Sequence, residues 1–213
     1  MVADSDQHSD ARMSKVVQHY EKCLIADGGD SGQLVGWRNS SSQLARFGII
    51  RQLVDGTSFY SVCDFGCGLG EYLNFLRDHK FSGTYVGVDA SLEMVRRAQA
   101  LHEADPNATF YQNSSPKSAD LIVASGIFNV RLEQSNASWR TYVESTLSMM
   151  WECSSVGVVF NVLSTVSDLS KRKPNLFYMS PDELIQLGLR FSPEIRFAHH
   201  YGLFDSTIAI FRT

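Results

Sequence analysis

A chain of 213 residues, 44% hydrophobic and 20% charged, has the bulk to bury one sizeable core and fits a single domain. Its formal net charge of -4 offers no general field for holding a phosphate backbone, so nucleic acid is not an expected partner. No apolar run approaches the roughly 20 residues that span a bilayer, so no membrane partner is expected either. Cys23, Cys63, Cys67 and Cys153 show neither a C-x-x-C pair nor zinc spacing. They read as reduced thiols of a cytoplasmic protein, and no metal site is expected.

The chain opens on "MVADSDQHSDAR", polar and acidic, which reads as a flexible tail over residues 1–12. A helical stripe over 11–26 carries Met13, Val16, Val17, Tyr20 and Leu24 and stops at Gly28-Gly29. After a loop with Trp37, a second stripe over 41–54 places Leu44, Phe47, Ile50 and Val54 on one face, with Gly56 as its stop. Residues 13–58 are thus expected to form a helical cap within the same domain as the core at 59–213.

From Phe59 onward short β-rich runs alternate with helical patterns. Strands are expected at 60–65, 84–89, 109–112, 120–125, 156–163, 194–200 and 206–212, with helices at 70–80, 91–103 and 136–153. A shorter helix starts at "SPDE", where Ser180 caps, Pro181 suits the first turn and Glu183 closes a capping box. The alternation predicts an α/β fold with a doubly wound, seven-stranded, mostly parallel sheet, ending in an antiparallel strand pair. The cap is expected over the carboxyl edge of that sheet, where such folds bind ligands.

The glycine-rich stretch "SVCDFGCGLGEY" follows the first strand and opens a helix. It fails the dinucleotide pattern G-x-G-x-x-G, because counting from Gly66 puts Glu71 where the last glycine belongs. It fails the P-loop pattern too, having no Gly-Lys-Ser/Thr. What stands is D-x-G-x-G-x-G from Asp64 to Gly70, with Asp89 ending the next strand in "TYVGVDAS". A carboxylate there can accept both hydroxyls of a ribose, or it can simply cap the following helix.

The Asp64–Gly70 stretch resembles motif I of the class I S-adenosylmethionine-dependent methyltransferases. The resemblance implies a Rossmann-like fold and a cofactor site built from Asp64, Gly66, Cys67 and Gly68, with Asp89 on the ribose. It also implies Ala90, Ser91 and Met94 beside the adenine, and Asn113, from "FYQNSS", on the adenine amino group. Backbone carbonyls at Ser125, Gly126 and Ile127 would receive the methionine ammonium. Arg46, three residues from Gln43 on one helical face, would pair with the cofactor's carboxylate, or else form a surface salt bridge; Tyr20 joins it at the cofactor. The Asn/Asp-Pro-Pro-Tyr signature of amino-group methylation on nucleobases does not occur.

For the methyl acceptor, Trp37, Gln43, Phe128, Asn161 and Tyr201 are candidate contacts. His199 and His200 are candidates for a base or a substrate ligand; since neighbours on a strand face opposite sides, at most one enters a given cleft. The basic run Lys171, Arg172 and Lys173 reads as a solvated loop or as a clamp for an anionic substrate. The expected activity is methyl transfer to an oxygen or nitrogen of a small-molecule metabolite. Two other readings stay open: an aminopropyl-type transferase using a related cofactor, and a non-catalytic S-adenosylmethionine-binding subunit. The oligomeric state is left open.

Overall fold

In the computed structural model, the described residues are 15–19, 21 and 40–213. The expected tail, Tyr20, Trp37 and most of the first expected helix lie outside them; residues 15–19 and 21 are helical. Helix α1 (Ser40–Leu53) leads into strand β1 (Ser61–Phe65), helix α2 (Glu71–Asp78), strand β2 (Thr84–Asp89), helix α3 (Leu92–Leu101) and strand β3 (Ala108–Gln112). Then come β4 (Ala119–Ala124), α4 (Asn136–Cys153), β5 (Ser154–Ser164), a single 3₁₀ turn at Leu169–Lys171, β6 (Tyr178–Met179), α5 (Pro181–Leu189), β7 (Ile195–His199) and β8 (Asp205–Phe211).

One sheet holds these strands in the order β3-β2-β1-β4-β5-β8-β7, with the two-residue β6 alongside β5. The strands from β3 to β5 pair in parallel, and β8 runs antiparallel to both β5 and β7. The expected doubly wound sheet and its closing antiparallel pair are therefore present, and β6 is an eighth strand too short to show a periodic pattern.

Helices cover both faces, which is why the central strands read as continuous apolar runs instead of alternating ones. Adjacent residues go to opposite sides. Val62, Leu121, Val159 and Ala209 join a core under α1, α2 and α3, while Cys63, Ile122, Val158 and Ile208 join a core under α4 and α5. The capping box acts as read, with Ser180 and Glu183 bonding reciprocally at α5; at the start of α4 the structure adds a cap in which Ser135 accepts from Ser138 N.

Helix α1 packs on β8, β7 and β5 and against α2. It sheathes one sheet face through Phe47, Ile50 and Leu53; Arg196 Nη1 donates to its last carbonyl, Leu53 O, at 2.9 Å and to Asp55 O in the following turn at 2.7 Å. Its preceding turns carry Gln43 and Arg46, buried polar residues, to the end of the sheet where β1 and β4 finish. Among the described residues, no helix is long and apolar enough to cross a membrane.

Candidate active site

The chain leaves β1 toward β2 and β3 on one side, then crosses back to β4 on the other. The connections after β1 and β4 therefore diverge and leave a crevice between them. There the structure has a cavity of about 1010 Å³. Its wall contains Asp64, Gly66, Cys67, Gly68, Asp89, Ala90, Met94, Asn113, Ser125 and Gly126, together with Gln43 and Arg46 from α1. Residues from the ends of four strands and from α1, adjacent in space only through the sheet order, thus share one wall.

The glycine loop owes its shape to backbone that side chains tolerate poorly. Gly66, Gly68 and Gly70 have φ of 82°, 53° and 82°. A Cβ on Gly66 would come 2.1 Å from Ile127 Cγ2, so the loops after β1 and β4 touch only because Gly66 has no side chain. Gly66→Ala is accordingly expected to lower the unfolding free energy by about 1–3 kcal/mol, read as an earlier urea midpoint at unchanged m-value.

The loop is lashed to the end of β2. Gly66 N and Cys67 N donate to Val88 O at 2.7 and 3.1 Å, and Gly68 N donates to Asp89 Oδ2 at 2.9 Å. Asp89 Oδ1 accepts from Ser91 N at 2.9 Å, a bond that precedes α3, whose cap is Ser91 itself. It does not use the carboxylate up, since each oxygen accepts about two hydrogen bonds. Ser91 continues the chain of contacts by donating to Glu21 at 2.7 Å and capping α3 through Met94 N.

Two buried acids lie under one loop. Burial, above all, raises the Asp64 pKa to about 7; the charge on Asp89 adds to this, and the Tyr85 hydroxyl, donating at 2.7 Å, opposes it. Burial also raises the Asp89 carboxyl, against the stabilising N–H groups of Ser91, Gly68 and Ala90. The floor of the cavity therefore favours a cation, which would relieve both.

Opposite the glycine loop runs a buried polar relay. Arg46 Nε lies 2.5 Å from Asp205 Oδ2 and its Nη1 donates to Ser42 O at 2.9 Å. Asn161 Nδ2 donates to the same Asp205 oxygen at 3.1 Å, and Asn161 Oδ1 accepts from Gly126 N at 2.8 Å. Arg46 is therefore no surface salt bridge: it and Asp205 both sit in the cavity wall, with only 7% and 1% of their side-chain surfaces exposed. Asn161 is wholly buried behind the wall, where it fixes the turn after β4.

Several acceptor candidates stand elsewhere. Phe128 is fully buried, edge-on to Phe160, with its carbonyl accepting from Trp139 Nε1 at 2.7 Å; it belongs to the core under α4. Tyr201 lies outside the wall, with its hydroxyl 2.7 Å from Thr207 Oγ1. His199 and His200 are outside it too, on the β7 edge: His199 Nε2 sits 2.9 Å from Ser164 Oγ, and His200 turns the chain at φ 56°. Aromatic and imidazole side chains near strand ends look the same in sequence whether they face a cleft or the core, and only the register separates them.

The wall also contains residues the sequence did not single out for it. Asp205 is one; Phe47, Tyr72, Asn129, Tyr178 and Phe204 are others. The basic run lies in it as well, so Lys171, Arg172 and Lys173 border the cavity and not solvent alone. The signal that could have placed them was their position directly after β5, at the carboxyl edge.

Residues 62–149 match the family described as "Methyltransferase domain". A Mycobacterium tuberculosis protein, Rv1506c, whose name assigns it provisionally to the methyltransferases, is 38% identical over 161 residues, covering 75% of this chain and 97% of its own. The magnesium protoporphyrin IX methyltransferase of Synechocystis PCC 6803, solved with bound SAH, superposes with a TM-score of 0.65 at 12% identity over 97% of this chain and 100% of that one. The N-methyltransferase NodS of Bradyrhizobium japonicum WM9, solved with S-adenosyl-l-homocysteine, does so with a TM-score of 0.64 at 17% identity, covering 92% and 97%. At 12% and 17% identity these likenesses show the fold and leave the acceptor open. With a closely similar relative matched over nearly its whole length, and the fold and glycine-loop site in place, the chain belongs to the class I S-adenosylmethionine-dependent methyltransferases.

Proposed function

We propose that the chain transfers a methyl group from S-adenosylmethionine to an oxygen or nitrogen of a small cytoplasmic metabolite. The observation that carries this reading is the convergence of the glycine loop, Asp89, Asn113 and the Ser125-Gly126 turn on one cavity at the β1/β4 crossover. Its volume of about 1010 Å³ reaches the top of the roughly 300–1,000 Å³ range of small-ligand sites, which leaves room for an acceptor beside the donor.

Two features fit the donor. The bare Gly66 backbone is a cradle that a Cβ would fill. Ser125, in the wall, keeps a buried hydroxyl with no hydrogen-bond partner among the described residues, at the turn assigned to the methionine ammonium. A buried hydroxyl left alone costs about 1–3 kcal/mol, so a ligand that engages it is favoured.

When bound, S-adenosylmethionine supplies a methyl carbon on a cationic sulfur that leaves readily. The chain's contribution is then mainly to bind, orient and exclude water. Asp89 would hold the ribose hydroxyls, Asn113 the adenine edge, and Arg46, already locked by Asp205, the carboxylate. Gln43 and the mouth of the cavity would select the acceptor. Neither His199 nor His200 reaches the wall, which supports a positional mechanism over one with a histidine base.

Asp64 gives the reading a pH signature. Its carboxyl, with a pKa raised to about 7, is partly protonated at neutral pH, and a cation bound beside it lowers that pKa. Donor binding at pH 7 is therefore expected to release a fraction of a proton, with affinity rising from pH 5 to about 7 and then levelling. Calorimetry in buffers of different ionisation enthalpy measures the release, which Asp64→Asn should abolish.

The activity test is methyl-labelled S-adenosylmethionine incubated with a fractionated metabolite pool, with a labelled small product expected. Tight S-adenosylhomocysteine binding without product from any fraction would favour the non-catalytic subunit. Turnover of the decarboxylated donor would favour aminopropyl transfer, against which the cations lining the cavity already speak, since they repel a polyamine.

A further inference from the structure

The segment between β5 and β6, residues 165–177, carries three cations, Lys171, Arg172 and Lys173, against one acid, Asp168. It is a fixed wall and not a stray loop. Thr165 N donates to Met179 O at 3.1 Å, Phe177 N to Asn129 O at 2.9 Å, and Arg131 N and Leu132 N both donate to Asn175 O at 3.1 and 3.0 Å. These bonds stitch the segment across the chain that follows β4, and Ser167, Ser170 and all three cations line the same cavity as Asp64 and Asp89.

The three cations are not equivalent. Arg172 is committed to the segment itself: its guanidinium donates to Thr165 O and to Ser167 Oγ, the latter at 3.0 Å, and lies over the Tyr178 ring. Lys171 Nζ sits 5.5 Å from the centre of the Phe204 ring across the cavity mouth, and 3.8 Å from Asp168, whose Oδ1 already accepts from Ser170 N and Oγ. Lys173 is anchored by its backbone, N to Tyr178 Oη at 3.0 Å, and its ammonium has no ion pair among the described residues. The cavity is therefore polarised. Buried acids line its floor, while ammonium groups and serine hydroxyls line part of its wall.

We infer that Lys171 and Lys173 form an anion subsite, and that the methyl acceptor is a small molecule carrying a phosphate or carboxylate held there. The inference rests on the methyltransferase reading for the word acceptor, but not for the anion. A cationic donor beside the acids and an anionic acceptor beside the ammonium groups do not compete for the same contacts. Flexible ammonium groups act as point charges and suit either anion, with the planar fork of Arg172 already occupied.

The test titrates the purified protein, with and without saturating S-adenosylhomocysteine, with inorganic phosphate, with benzoate and with the neutral benzyl alcohol. One of the two anions is expected to bind in preference to benzyl alcohol, the better of them identifying phosphate or carboxylate as the group recognised. Its affinity should fall about tenfold in K171A/K173A, two exposed charge contacts being lost, and fall again between 50 and 500 mM NaCl. S-adenosylhomocysteine should bind both proteins alike. Benzyl alcohol binding as well as the anions, no anion binding, or equal anion affinity in the double variant would each overturn the subsite. Failure of S-adenosylhomocysteine to bind, with anion binding intact, would instead sink the donor assignment and leave the subsite standing.

Discussion

Asp89→Ala is expected to weaken S-adenosylhomocysteine binding by about 100-fold or more, measured calorimetrically on a variant whose circular dichroism is unchanged. Two charge-assisted hydrogen bonds to ribose hydroxyls, each contributing about 1.5–3 kcal/mol, set that scale. A further loss comes from the loop, because Asp89 also receives Gly68 N and Ser91 N. Asp89→Asn should be nearly as damaging: an amide keeps one acceptor oxygen, but its NH2 would face an N–H that now meets a donor. Unchanged affinity in a folded Asp89→Ala protein would remove Asp89 from the ribose.

The second large effect is on stability. Asp205→Ala should lower the unfolding free energy by about 3–5 kcal/mol, because it strands the buried Arg46 guanidinium and leaves Asn161 Nδ2 without its acceptor. The pair is not expected to be strongly stabilising in itself; what costs is half of it. Arg46→Met/Asp205→Leu should thus lose much less than the sum of the two single changes, a coupling that denaturant unfolding of all four proteins resolves. Additive losses would show that the two side chains do not depend on each other.

These two predictions differ in how far the sequence alone supports them. The placement of Asp64, Gly66, Gly68 and Asp89 was legible because it follows from chain-local facts: a strand ends, a tight turn needs positive φ, and the next parallel strand ends beside it. The limits of α4 and the capping box at Ser180 were legible for the same reason. Asp205 was not, since its partner is 159 residues away and nothing local distinguishes it from a turn aspartate. Phe128 failed as an acceptor contact because aromatic residues serve cores and clefts alike. Lys171, Arg172 and Lys173 read as a solvated loop or as an anionic-substrate clamp, since a charge run looks the same in both; what places them at the cavity is the stitching of their segment to the chain after β4. Strand β6, two residues long, carries no period at all.

The Arg46–Asp205 contact also has a consequence for how the molecule is made. Arg46 belongs to the first helix on the sheet and Asp205 opens the last strand, which slots between β5 and β7 and is buried along its whole length. At roughly 5–20 residues per second of synthesis, Arg46 leaves the ribosome about 10–30 seconds before its partner exists. Through that interval the nascent chain carries a cation destined for the interior and a sheet without the strand that joins β7 to β5. Closure of both falls to the same seven residues, so a chain stalled or clipped before Asp205 lacks a β5 neighbour and a counter-ion at once.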